Sequence, residues 1–247
     1  DMILLDMGER EAPFRITGLN RRELIEVEAL SIEPDVFEPS PIQLRGSSVA
    51  TPDIYGAPLA LFLDLPVPGA GDAAHAGHVA AFASPWPGAV AFHRSAESSG
   101  FALKALATTQ ATLGTTTTSL SAGPTGRIDR ANRPIVHLDN GTLQSVSELQ
   151  MLGGASLAAI ENADGGWEIL QFRLATLIAP ATYELAELLR GQAGTEAEMR
   201  FPVAAGARFV LIDAALSPVA MNRDEVGLAY NWAYGPALHP IGHRSYR

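Results

Sequence analysis

From residue 78 onward the chain is written in short runs of apolar and β-branched residues, each closed by a turn signal. This rhythm limits the fold more than any other feature. The runs are His78–Ser84, Gly88–Arg94, Phe101–Thr108, Thr112–Leu120, Ile135–Leu138, Ser156–Glu161, Trp167–Ile178, Tyr183–Leu189, Arg208–Asp213 and Val226–Tyr234. Between them stand Pro85-Trp86-Pro87-Gly88, Asp139-Asn140-Gly141 with its Asn-Gly pair suited to a type I′ turn, and Asp164-Gly165-Gly166. Short runs so regularly punctuated predict an all-β chain built as a β-sandwich or a barrel. The threonines at 115–118 are β-branched and polar, and fit an exposed strand. Periodicity allows Tyr183–Arg190 to be helix or strand; Thr182, Tyr183 and the nearby run Trp167–Ile178 favour strand. Ser145–Leu152 is the other helix candidate.

Upstream the pattern changes. Segments 11–19 and 22–33 read as a strand pair turning at Leu19-Asn20-Arg21, because Ile25, Val27 and Ala29 alternate with more polar neighbours. Prolines at 34, 39, 41, 52 and 58 then make residues 34–58 a Pro-rich linker. Leu59–Leu65 reads as a strand, and Pro66–Gly77 as a loop. Three parts are expected: a strand pair at 1–33, the linker, and a β-rich domain at 59–247 that could divide near 59–147 and 148–247. Two strands cannot bury Phe14, Ile16, Ile25 and Val27 by themselves, so residues 1–33 are expected to complete a β domain whose other strands lie elsewhere. An opening on Asp1 in mid-pattern reads as a piece of something longer.

Charge and composition narrow the partners. Asp and Glu outnumber Lys and Arg by 27 to 17, a net charge of −10, and the cations form no cluster, so sequence-specific nucleic-acid binding is not expected. The most apolar stretches, Leu59–Leu65 and Leu174–Ala181, fall well short of the roughly 20 residues that span a bilayer. The chain has no cysteine, which removes disulfides, thiolate metal sites and a cysteine nucleophile.

The search for chemistry returns little. A P-loop needs a lysine after its glycines, and the single lysine, Lys104, sits in a strand-like run. Gly154-Ala155-Ser156-Leu157-Ala158 lacks the second glycine of a hydrolase elbow. Asp72, His75 and His78 have ligand-like spacing but lie in a Gly/Ala loop with no regular backbone to converge them. His239 and His243 are separated by Pro240 and Gly242, which oppose the helix that a zinc pair requires. A carboxylate pair for glycoside hydrolysis cannot be read without distances, and Glu161, Asp164, Glu168, Glu184 and Glu187 supply only candidates. Trp86, Trp167 and Trp232 could stack on sugars, although each sits in or beside an apolar strand where core packing is the plainer role. No catalytic residue, cofactor or metal is therefore assigned. The one motif singled out is Arg190-Gly191-x-x-Gly194-Thr195: its glycines permit positive φ in a tight turn, Thr195 can hydrogen-bond locally, and Arg190 offers five donors to nearby carbonyls or a carboxylate.

Several blocks together resemble the late segment of phage tail-tip proteins. They are Gly166–Phe172, Tyr183–Glu196, Gly206–Asp213 and the closing Tyr230–Ala237. The family is the large baseplate, or host-specificity, "megatron" protein of gene transfer agents and related siphophages. The opening Phe14–Leu19 and Glu26–Pro34 are similar to that protein's hub-like strand pair, and the likeness runs over about 11–39 and 160–240. The resemblance implies a non-enzymatic virion component at the tail tip, usually threefold, assembled with hub and distal tail proteins and involved in host-cell attachment and DNA delivery. A carbohydrate-binding module for host-surface glycans, or a cell-wall glycosidase, are the rival expectations.

Overall fold

A computed structural model describes residues 1–8, 11–32, 55–66, 75–200, 202–243 and 245–246. The chain is all-β and divides into two compact units, Asp1–Pro52 and Asp53–Arg247. Most of the expected linker, residues 34–54, lies outside the described residues, as does Asp72.

The first unit holds an antiparallel sheet of β1 (Met2–Asp6), β2 (Glu11–Arg21) and β3 (Ile25–Ser31), in the order β1-β2-β3. It is therefore a three-stranded sheet and not a pair, and its turn lies at 22–24, three residues later than expected. A bulge between Ile16 and Gly18 shifts the register and lets β2 run on to Arg21. Directly opposed residues share a face, and the register opposes Leu5 to Ala12, Ile3 to Phe14, Ile16 to Ala29 and Leu19 to Val27. One face is thus apolar, while Asp6, Glu11, Arg15, Glu26 and Glu28 mark the other.

The second unit begins with β4 (Leu59–Leu63), β5 (His78–Phe82), β6 (Val90–Ser95) and β7 (Ala102–Ala107). There follow β8 (Leu113–Thr116), β9 (Ile135–Leu138), the short helix α1 (Glu148–Leu152), β10 (Leu157–Glu161), β11 (Trp167–Ala179), β12 (Thr182–Leu189) and β13 (Arg208–Leu211). The chain closes with β14 (Ser217–Pro218), β15 (Asn231–Pro236) and β16 (Ser245–Tyr246). Strands β10-β11-β12-β9-β8-β13 form a closed antiparallel barrel, which leaves no free edge. Before and after the barrel in sequence, β14-β5-β4 and β16-β15-β6-β7 make two further sheets. The barrel is an insertion between the two halves of a sandwich. A cut near 147/148, as the sequence led us to expect, would divide it, because β8 pairs with β13 and β9 with β12 across that point.

Period-two alternation explains the layering. In β4 and β5, Leu61, Leu63 and Ala80 pack toward the barrel with Leu113, Ile169 and Val210, while Phe62, Val79 and Ala81 pack toward the outer sheet with Val90 and Phe92. A layer covered on both faces must be apolar at every position, which is why Leu59–Leu63 shows no alternation. In β11, Trp167 and Ile169 face outward to that layer, whereas Leu170 and Phe172 join Val136, Leu138, Ile160, Leu185 and Phe209 in the barrel interior. Gly114 has no room for a side chain, since a Cβ there would lie 2.2 Å from the His137 carbonyl oxygen.

Three local expectations change. Thr117 and Thr118 lie beyond the end of β8. The Asn-Gly pair closes no hairpin: the Asn140 side chain donates to the Ala111 carbonyl, and Gly141 (φ +89°) packs where a Cβ would strike Thr112. The run from Val226 becomes strand only at Asn231. The helix candidate survives as α1, where Ser147 and Gln150 cap each other reciprocally.

Candidate functional site

The residues singled out in sequence meet at one end of the barrel. On β11, Glu168 shares the inward parity of Leu170 and Phe172, and Arg190 follows the last residue of β12, so both point into the same buried space. Arg190, only 2% exposed, grips Glu168 with both arms: Nε donates to Oε1 at 2.6 Å and Nη2 to Oε2 at 2.7 Å. Its Nη1 donates to the Ser121 carbonyl at 3.0 Å and to Asp129 Oδ2 at 3.3 Å. The Gly191 N–H adds a third bond to the Glu168 carboxylate, at Oε1, while Asp129 accepts from the Ala131 and Asn132 backbone N–H groups and the Asn132 amide. Burial pushes the Asp129 carboxyl up, but the Asn132 side chain and backbone, the Ala131 N–H and the Arg190 charge outweigh it and leave it below its ordinary value. Gly123 makes the approach feasible, for a Cβ would sit 2.4 Å from Asp129 Oδ2.

The rest of the motif fastens the following turn. Gly191 (φ +58°) and Gly194 (φ +85°) both take left-handed conformations, and a Cβ on Gly191 would lie 2.9 Å from Glu196 Cα. Thr195 Oγ1 accepts from the Ile169 N–H at 2.9 Å and donates to the Gln192 carbonyl at 2.8 Å, tying the turn to β11. Every carboxylate oxygen of the cluster is already engaged within the protein, and the groups are shielded from water. The arrangement clamps the 117–134 loop to the barrel, with Asp129 also bridging Leu188 through backbone bonds. It leaves no acceptor free for a substrate.

A second place has the opposite character. At the mouth of the sandwich lies a cleft of about 540 Å³, lined among others by Phe62, Asp64, His75, Arg94, Tyr230 and Trp232. Arg94 follows Val90 and Phe92 on the inward face of β6, opposite Trp232 in register. It is 3% exposed, and its Cζ lies 4.1 Å from the Tyr230 ring centroid. Nη2 donates to Glu225 Oε1 at 2.5 Å, and Lys104 Nζ stands 3.8 Å from the same oxygen. The Asn222 N–H, then Arg94, hold the Glu225 carboxyl below its ordinary value, against the effect of burial. His75 Nε2 bonds the Met221 carbonyl at 3.1 Å, which makes Nε2 the donor and leaves Nδ1 of the neutral ring to accept.

Residues 111–210 match the family model described as Rcc01698-like, C-terminal. That span is the barrel, from just before β8 into β13. Asp129, Glu168 and Arg190 lie within the match, whereas Arg94, Glu225, Tyr230 and Trp232 lie outside it. No curated protein matches the chain.

Other candidates scatter. Trp167 is buried between barrel and sandwich, Trp86 packs half-buried against the outer core, and Trp232 alone of the three lines the cleft. Among the described residues, no three His, Asp or Glu side chains come together as a metal site, and no helix is long and apolar enough to cross a membrane. Sequence reasoning missed Arg94 and Glu225, which are 131 residues apart. The available signal was the Asn222–Glu225 capping box followed by Tyr230 and Trp232.

Proposed function

We propose that the chain is a structural component of a phage-like tail tip, of the gene transfer agent and siphophage kind, serving as scaffold and adaptor in host-cell attachment and DNA delivery. The observation that carries this reading is the placement of the family match. The sequence blocks at 166–172 and 183–196, which resemble the large baseplate protein, fall inside the matched stretch 111–210. Physical features agree with it. The most conspicuous ionic cluster of the barrel is spent on holding a loop, as suits a rigid part. The apolar face of the N-terminal sheet carries Leu19 at 65% and Ile25 at 59% exposure, an arrangement that favours burial against another protein. Hub and distal tail proteins, in a threefold assembly, are the partners this reading names. The net charge of −10 would keep passing DNA from adhering.

The test is to purify particles from a producing strain, label the chain with an antibody and image the particles, beside a strain lacking the gene. Label at the tail tip and loss of DNA transfer without the gene are expected. Particles that lack the chain and still deliver DNA would end the proposal.

A further inference from the structure

We propose that the cleft at the mouth of the sandwich is a saccharide-binding site, in which a neutral sugar ring lies along the Tyr230 and Trp232 wall with its hydroxyls held by Asp64, His75 and Arg94. The cleft would bind such a ring whether or not the chain is a tail scaffold, since its chemistry is local to this unit.

The lining selects the ligand class. At about 540 Å³ the space falls within the range of small-molecule sites, roughly 300–1,000 Å³, and accommodates one to three sugar rings. A purely apolar ligand would strip water from Arg94, Asp64 and His75 without replacing its hydrogen bonds. A strongly anionic ligand meets a guanidinium already neutralised by Glu225, with Asp64 also lining the cleft and a chain of net charge −10 around it. A pyranose has an apolar face and a rim of hydroxyls that both donate and accept. Tyr230, Trp232 and Phe62 supply the apolar wall. Asp64 and His75 Nδ1 accept, and Arg94 donates.

The site is also built to stay in place. Arg94 is fixed by a charge-assisted bond to Glu225 and by the Tyr230 ring, and Glu225 is fixed in turn by the Asn222 N–H at 2.7 Å. Trp232 is braced by Phe62, with ring centroids 5.0 Å apart. Little side-chain order is then lost when a ligand enters, which is how a weak binder of sugars gains affinity.

The test is isothermal titration of the full chain with neutral gluco-, galacto- and N-acetylglucosamine oligosaccharides, with a uronic-acid oligosaccharide and inorganic phosphate as separate arms. At least one neutral oligosaccharide is expected to bind at millimolar strength or tighter. Asp64→Asn and His75→Ala should each weaken it tenfold or more, the second with a small fall in melting temperature from the lost bond to Met221, while Trp86→Phe, outside the cleft, should leave binding unchanged. Failure of every neutral sugar to bind, binding indifferent to both cleft substitutions, or a preference for phosphate or the uronate would overturn the proposal. None of these results would touch the tail-tip reading, which particle labelling decides separately.

Discussion

The barrel and the N-terminal sheet are written in the same alphabet, strands with apolar residues at every second position, yet they spend it differently. In the barrel Val136, Leu170, Leu185 and Phe209 are withdrawn from water, while in the sheet Leu19, Ile25 and Val27 remain largely exposed. The difference is closure. Six strands that return on themselves make an interior, whereas three strands make only two faces, and one must find its cover elsewhere. Alternation specifies which side of a strand is apolar; it does not specify that the side will be buried. Substitutions in the barrel should therefore read out as folding energy, and those in the sheet as assembly.

The contrast is sharpest for charge. Arg190→Met leaves two buried carboxylates without their cation and is expected to cost about 3–5 kcal/mol in urea unfolding of the barrel-containing unit. Arg15→Met, on the exposed sheet, should stay within about 0.5 kcal/mol. Equal effects would mean that the ion cluster is not a clamp.

Asp129→Asn should cost less, about 1.5–3 kcal/mol near neutral pH, by weakening bonds that the carboxylate accepts. The folded carboxyl lies below its ordinary value of 3.8, so its contribution is present above about pH 4 and is lost as pH falls through the lower folded value. The gap between wild type and Asp129→Asn should accordingly narrow on acidification below that point. A gap that stays constant down to pH 2 would contradict the assigned role.

How much of this was legible follows from the range of each signal. Strand alternation in Ile25, Val27 and Ala29, the apolar run at Leu59–Leu65 and the capped helix at Ser147 are local, and the sequence displays them. The Arg190 motif was visible as a turn because its glycines are neighbours. Its carboxylates are not, since Glu168 and Asp129 lie 22 and 61 residues away. Barrel closure depends on β8 meeting β13, a pairing that no window of sequence contains, and so the division near 147 looked plausible from the chain alone. The Asn-Gly pair misled for a related reason: its preference for a hairpin yielded to the tertiary bond from Asn140 to Ala111.

Backbone strain separates the two glycines of the motif. Alanine at Gly194, with open space around its Cβ position, should cost about 1 kcal/mol for the left-handed conformation alone. At Gly191 the same change adds the contact with Glu196 Cα and should cost more. Thermal melts of both variants that overlay the wild type would remove the turn from the account of barrel stability.

The smallest expected effect is the most informative about organisation. Deleting residues 1–40 removes the whole three-stranded sheet, a far larger change than any single substitution, yet the melting transition of the remainder should hardly move. The second unit begins at Asp53 and has its own cores, formed by residues from Ala60 onward. The sheet's exposed apolar face gains little when its own unit folds. If the chain has the proposed tail-tip role, the same truncation should abolish incorporation into particles, because it removes the exposed apolar face of the sheet. A melting temperature lowered by many degrees would place the strands in the main fold. Unchanged incorporation would show that the apolar face of Ile3, Phe14, Ile16 and Val27 is covered by something other than the assembly.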